Sequence, residues 1–349
     1  MKFTNGILCI DVGSGTQDVL YWQPDSRLEN CPKFILPSPA KRIAKRIANF
    51  TETGTPIYLH GYNMGGGFGG AVYHHLEQGY KIAAHPDAAL SLSDDPARLE
   101  ERGIEVIKTC PRGYASLYLA DVDTGFWRSF LGAAGLPEPD GYAIAAQDHG
   151  HHPDVSNRQG RFRLWEKLLH EADGNPQSLL YSEAPAELTR LQAISEQTGG
   201  AWVTDTGSAA VLGLLFMPEV REQSHKEGIC LINIGNSHTV AFLIYKEKIY
   251  GVYEQHSGNM TAEDLMADIE QFRRGSLSFD EVYSAWGHGC LTLELPKEAT
   301  EFSSIMVLGP RRDLLTDSCV SFPAPGGDMM LAGCFGLLHG LALQKVLPE

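Results

Sequence analysis

Two short runs set carboxylates and hydroxyls around glycine turns, and they carry most of the chemistry visible in this chain. In the first, an apolar strand over Ile7–Ile10 meets Asp11, passes the turn Gly13-Ser14-Gly15, and resumes as strand from about Gln17 to Trp22. Glycine at 13 and 15 permits positive φ and lets backbone N–H groups approach a ligand closely. A tight turn of exposed amides flanked by Asp11, Thr16 and Asp18 suits a phosphate with its cation. Asp11, at the strand end, would hold magnesium-bound water rather than phosphate, because carboxylate and phosphate repel each other. Taken alone, an Asp-x-Gly turn is also an ordinary hairpin.

The second run, Gly228 to Tyr245, repeats the pattern: apolar strand, polar residue, x-Gly, short polar turn, threonine, apolar strand. Asn233 stands where Asp11 stood and Gly235 where Gly13 stood. Asn236, Ser237 and His238 make the turn, and Thr239 falls one residue beyond the equivalent of Thr16. The copies lie about two hundred residues apart, as expected of duplicated lobes rather than a short solenoid repeat.

Two further runs lie between them. Thr55 to Gly70 reads as an apolar strand followed by the loop Met64-Gly-Gly-Gly-Phe-Gly-Gly70. In α/β sheets, ligands are met at the carboxyl ends of strands, so this loop is a candidate ligand contact; a flexible turn into a helix from about Ala71 is the competing reading. No Gly-Lys-Ser/Thr follows, so it is not the eight-residue phosphate loop. In Gly141 to Asp154, a buried strand over Tyr142–Ala146 delivers Gln147, Asp148 and His149 to its end, with His151 and His152 next. The three histidines beside Asp148 and Asp154 form a possible metal site if Gly150 and Pro153 fold the loop back; a surface loop is the alternative. The His74-His75 pair lies in a predicted helix where adjacent side chains diverge, which favours a structural role. Neither a Gly-x-Ser-x-Gly elbow nor a His-Glu-x-x-His helix occurs.

The elements that must position these groups include two helices. Asp205 or Thr206 caps a helix that ends before Pro218, and Asp328 caps one running to Leu343. Gly333, Gly336 and Gly340 share one face of the second, although each costs about 1 kcal/mol relative to alanine. Such a stripe suggests a close crossing with Ala209, Ala210 and Gly213, as a hinge or as a tightly packed core.

The 349 residues suit two domains or one large α/β unit. A composition 43% hydrophobic and 20% charged argues against disorder. The net charge of −15 argues against nucleic-acid binding, and the basic run Lys41, Arg42, Lys45, Arg46 reads as a solvated helix face. No apolar run reaches the roughly 18 residues of a membrane span, and Asp11 interrupts the only early apolar stretch, so neither a membrane segment nor a leader is expected. Seven scattered cysteines without a Cys-x-x-Cys pair fit a reduced, cytoplasmic protein.

In order and spacing, these elements resemble the superfamily of actin, sugar and acetate kinases and heat-shock chaperones. Asp11–Asp18 looks like its first phosphate motif, Asn233–Thr239 like its second, and Val307–Arg311, with Gly309 and Pro310, like its adenosine motif. Asp205–Leu215 and Asp328–Leu338 look like its connecting helices. More narrowly, the chain is similar to an uncharacterised family labelled as a pyruvate formate-lyase activating enzyme. True radical activators carry Cys-x-x-x-Cys-x-x-Cys for an iron–sulfur cluster, which is absent here, so that label lacks physical support.

The resemblance implies an α/β, two-lobed actin-like ATPase (ribonuclease H-like) fold: duplicated mixed sheets flanked by helices around a central nucleotide cleft. The first lobe would span 1–207, completed by 328–349, and the second 208–327. It implies ATP bound with magnesium near Asp11, and a small-molecule substrate or a partner protein. Asp148, with Gln147 beside it, is the candidate base, by analogy with an aspartate of the kinase branch. Asn233 departs from the aspartate usual in the second motif and brings no charge to a metal or a water, which points toward slow hydrolysis. His238 would face the terminal phosphate or serve the turn. A magnesium-dependent phosphotransferase or ATPase, a slowly hydrolysing switch acting on a partner protein, and a non-hydrolysing sensor are the functional expectations.

Overall fold

The computed structural model describes residues 3–347; the last two residues of the expected 328–349 segment lie outside that range, as do the first two of 1–207. The chain opens with β1 (Ile7–Val12), β2 (Thr16–Trp22) and β3 (Lys33–Pro37). It then leaves for β4 (Ile57–Gly61), β5 (Ile82–Ala84), β6 (Ile104–Val106) and β7 (Ala115–Leu119). It returns for β8 (Gly141–Ala146) and β9 (Trp202–Thr204). The second half carries β10 (Ile229–Ile234), β11 (His238–Tyr245), β12 (Lys248–His256), β13 (Gly289–Thr292) and β14 (Ser304–Leu308).

Two five-stranded sheets result, in the orders β3-β2-β1-β8-β9 and β13-β12-β11-β10-β14. In each, a central strand pairs antiparallel with the next strand of its hairpin and parallel with a later strand: β1 with β2 and β8, β10 with β11 and β14. Both central strands are buried along nearly their whole length, which explains why they read as continuous apolar runs rather than alternating ones. Parallel pairing brings the carboxyl ends of neighbouring strands to one edge. Asp11 therefore stands beside Ala145, just before Gln147, and Asn233 beside Leu308, just before Gly309.

The segment from β4 to β7 does not extend the first sheet. It forms a four-stranded parallel sheet, ordered β6-β5-β4-β7, around a core that includes Ile57, Leu59, Phe68, Val72 and Leu117. Sequence reading places these residues in the first lobe without separating them, since a buried parallel strand looks alike in either sheet.

The helices Thr206–Leu215 and Ala332–Leu343 cross between the lobes. Asp205 caps the first by accepting from the Gly207 amide, and Asp328 accepts from the Met330 amide at a short 3-10 turn leading into the second. A methyl at Gly336 would lie 1.9 Å from the Ala209 carbonyl oxygen, and one at Gly213 would lie 2.0 Å from that of Ala332. The expected close crossing is thus present, but of the three glycines only Gly336 meets the backbone of the other helix. Gly340 faces Leu180 and Leu212, and Gly333 faces Asp11.

Candidate functional site

A cleft of about 420 Å³ opens between the two sheets. Its floor and walls are the β1–β2 and β10–β11 turns, the residues after β8, β9 and β14, and the glycine loop Gly65–Gly67 after β4. The two hairpins are built alike. Gly13 donates to the Thr16 carbonyl at 2.9 Å, and Gly235 donates to that of His238 at 2.9 Å. Their tips touch: Ser237 Oγ donates to Ser14 Oγ at 2.7 Å, and a methyl at Gly15 would lie 2.2 Å from Asn236 Nδ2.

Asp11 is enclosed below those tips. Thr206 Oγ1 donates to its Oδ1 at 3.0 Å, and the missing side chain of Gly333 leaves room for Oδ2, which a methyl there would meet at 2.1 Å. Burial, reinforced by the Asp18 charge, pushes the Asp11 carboxyl up to about 8. Burial also raises Asp18 to about 6, and its Oδ1 is buried with no hydrogen-bond partner. Two desolvated carboxylates with an orphaned oxygen form a donor set that fits a hard divalent cation such as magnesium, because the ion would offset the desolvation that now favours protonation.

Of the residues expected to hold a nucleotide, Gly13, Ser14, Thr16, Asp18, Asn233, Gly235, Asn236, Ser237, His238, Gly309 and Pro310 line the cleft. Thr239 does not; it is buried, its hydroxyl 3.0 Å from that of Ser257. Gly15 makes the contact between the tips instead. Met329 and Met330 line the cleft near Gly309, whose amide lies 3.0 Å from Met329 Sδ.

Asp148 reaches the cleft, and each of its oxygens accepts one backbone amide. Oδ1 accepts from the Gly150 amide at 2.8 Å and Oδ2 from the Leu191 amide at 3.0 Å. The second bond caps the helix Thr189–Thr198, so this carboxylate ties the loop after β8 to a helix start. Gln147 is also committed: its Nε2 donates to Glu254 Oε1 at 2.6 Å, across to the second sheet. Burial raises the Asp148 carboxyl, opposed by those two amide bonds.

The expected histidine trio is divided. His151 sits at the surface, with Nδ1 3.6 Å from Asp94, and His152 packs against Gly160 with Nε2 2.7 Å from the His149 carbonyl. His149 alone turns inward, toward His238, Glu254 and His288. Desolvation lowers the pKa of all three imidazoles, His288 to about 3. Glu254, though wholly buried, is held well below the usual carboxylate range chiefly by Arg161, whose Nε donates to Oε2 at 2.6 Å.

Sequence reading missed the charged lining of this cleft. Arg161 also donates to Asp205 and to the Asp148 carbonyl, while Arg190 binds Asp121 through two nitrogens and donates to the Gln147 carbonyl. The available signal was a charge inside an otherwise apolar strand, Val252-Tyr-Glu-Gln-His256, where alternation puts Glu254 on the same face as His256.

Comparison with protein families matches residues 64–314 to the family described as "putative pyruvate formate-lyase activating enzyme", a domain of unknown function. The chain belongs to that family. The description does not extend to radical chemistry here: all seven cysteines are free, and no group of three comes together among the described residues. An iron–sulfur cluster of the radical-enzyme kind therefore has no ligands. No curated protein matches significantly.

Among solved structures, the chain is similar to a Bacteroides thetaiotaomicron protein of actin-like ATPase fold and unknown function (8% identity, 95% and 96% of the two chains covered, TM-score 0.36). It is also similar to the Clostridium difficile activator of 2-hydroxyisocaproyl-CoA dehydratase (10%, 100% and 99%, 0.33) and to MreB 5 of Spiroplasma citri (9%, 97% and 97%, 0.34). The chain itself has a two-lobed α/β architecture, seen in its repeated strand order about a central cleft. Among the described residues no helix is long and apolar enough to cross a membrane.

Proposed function

We propose that the chain binds ATP with magnesium between its two lobes and acts as a phosphotransferase or ATPase on a small molecule. The observation that carries this reading is the pair of matching hairpins, joined at Ser14 and Ser237, over the buried carboxylates Asp11 and Asp18. Backbone amides of the two turns would receive the phosphates, as helix termini and backbone nests do elsewhere. Asp11 and Asp18 would hold the magnesium, directly or through its water. The ion supplies charge neutralisation for the phosphates; the chain's own groups supply position and exclusion of water. The adenine would lie where Gly309 and Pro310 face Met329 and Met330.

Within this reading Asp148 is given a positioning role: one amide bond to each oxygen fixes its direction and ties the loop to a helix start. It fixes the loop that carries His149 rather than taking a substrate proton. That favours the second reading, a slowly hydrolysing switch acting on a partner protein. Asn233 supports the same view, being uncharged where the first hairpin has Asp11.

A crystal structure with a non-hydrolysable ATP analogue and magnesium tests the placement. The expected result is a triphosphate beneath the Ser14 and Ser237 turns with the ion beside Asp11. An analogue bound elsewhere, or none at saturating concentration, would overturn the proposal.

A further inference from the structure

Beside the cleft lies a polar cluster of which the nucleotide reading uses only His238. His149 follows β8 in the first lobe; His238 opens β11, Glu254 lies in β12, and His288 precedes β13 in the second. The sheet explains how residues so far apart in sequence meet. His238 pairs with His256 and Val240 with Glu254, which sets His238 and Glu254 diagonally on one face. Glu254 pairs with Gly289, and the His288 amide donates to the Glu254 carbonyl at 2.9 Å.

One donor atom from each of the four residues lies within 4.8 Å of all the others. The Nε2 atoms of His149 and His288 are 3.3 Å apart. Zinc–nitrogen bonds of about 2.0–2.1 Å place the donors of a tetrahedral ion about 3.4 Å apart, so that pair is already spaced as two ligands and the rest need at most about 1.4 Å of contraction. His288 is 3% exposed, and its other ring nitrogen, Nδ1, lies 3.8 Å from Glu254 Oε1, which leaves Nε2 as the nitrogen offered to the ion. Packing three imidazoles around a buried carboxylate brings ring nitrogens close to one another, a crowding that a bound cation would relieve.

We propose that His149, His238, His288 and Glu254 bind one divalent first-row transition metal, of the zinc or iron(II) class, across the lobe interface. Imidazole nitrogens with one carboxylate select such ions over magnesium or calcium, which take oxygen. The imidazoles are kept neutral by burial and Glu254 ionised by Arg161, as ligation requires. Gln147 and Arg161 hold the two Glu254 oxygens in place, the outer contacts that orient a ligating carboxylate. The Arg161 charge is offset by Asp205 as well as by Glu254. His149 and His238 line the cleft, so the ion is reached from it; four protein ligands close a tetrahedral shell, and only expansion to five-coordination would admit water or an anionic substrate oxygen. Because His149 comes from one lobe and the other three ligands from the second, the ion would also fasten the lobes together. None of this depends on nucleotide binding.

The test uses the full chain with Cys110→Ser and Cys319→Ser, which removes the exposed thiols. After dialysis against a chelator, it is titrated with cobalt(II) and then zinc. The expected result is one equivalent of cobalt with a visible tetrahedral spectrum, displaced by zinc, and a higher melting temperature with either ion. His149→Ala should weaken binding at least about tenfold while leaving the metal-free melting temperature nearly unchanged, and His288→Gln should abolish the spectrum. Failure of the parent protein to take up either ion, or uptake unchanged in both variants, would overturn the site and leave a metal-free histidine hydrogen-bond cluster.

Discussion

Ser14 and Ser237, 223 residues apart in the chain, meet hydroxyl to hydroxyl at 2.7 Å. Each sits at the tip of one copy of the same hairpin, so this contact is where the internal duplication closes on itself. The lobes can approach this closely because Gly15 has no side chain to strike Asn236.

Gly15→Val should therefore hold the tips apart. The Asn236 amide can swing away from a methyl, but a branched side chain leaves less room. We expect a loss of about 1–3 kcal/mol of stability, because Gly15 is buried against Asn236, and nucleotide affinity lower by about tenfold. Calorimetric titration together with a thermal melt separates the two; unchanged affinity would mean that the tip contact does not report closure.

Asp11 links pH to cation binding. Its pKa in the folded protein, about 8, lies above its ordinary value of 3.8. A carboxyl raised on folding contributes stability that is fully present below the unfolded value and lost as pH rises through the folded one. Asp18, raised to about 6, adds to the loss over the lower part of that window. Magnesium would replace the proton. The melting temperature without metal should thus fall between about pH 4 and pH 8, and the stabilisation by magnesium should grow over the same interval. A magnesium effect that shrinks with rising pH would place the ion elsewhere.

Gly333 and Gly336 look equivalent in sequence but do different work. Gly333→Ala presses a methyl onto Asp11 Oδ2, whereas Gly336→Ala presses one onto the Ala209 carbonyl. Both should destabilise by about 1–3 kcal/mol through overpacking. Only Gly333→Ala should flatten the pH dependence of magnesium stabilisation, since only it disturbs Asp11. Equal loss in both variants would make the glycine stripe purely a packing device.

This pair also shows what the sequence can and cannot tell. The glycine stripe and its partner Ala209, Ala210 and Gly213 were legible because small residues at helical spacing imply close approach. That Gly333 serves a carboxylate was not, because its neighbour lies more than three hundred residues away. The hairpins were legible as local strand–turn–strand patterns. The inserted sheet was not, since apolar runs do not say which sheet they join. His149 was found in a conspicuous run, but the run was misleading: its true neighbours, His238, Glu254 and His288, come from three other segments. Asp148 looked free at a strand end; the amides of Gly150 and Leu191 that occupy it appear only when the loop folds back.

Asn233 offers a test of rate. Asn233→Asp restores a carboxylate to the second hairpin without changing side-chain shape. If hydrolysis is limited by the missing charge, phosphate release with ATP and magnesium should rise by at least about tenfold, a modest share of what one preorganised polar group supplies in known enzymes. No increase, with folding intact, would favour the sensor reading over the switch.

The most direct measurement of the central claim is calorimetric titration of the parent protein and of Asp11→Ala with ATP, each with and without magnesium. The account predicts one site per chain in the parent, strengthened by magnesium, and a loss of the magnesium-dependent part in Asp11→Ala. Absence of ATP binding in the parent, or binding that is indifferent to both magnesium and Asp11, would contradict it.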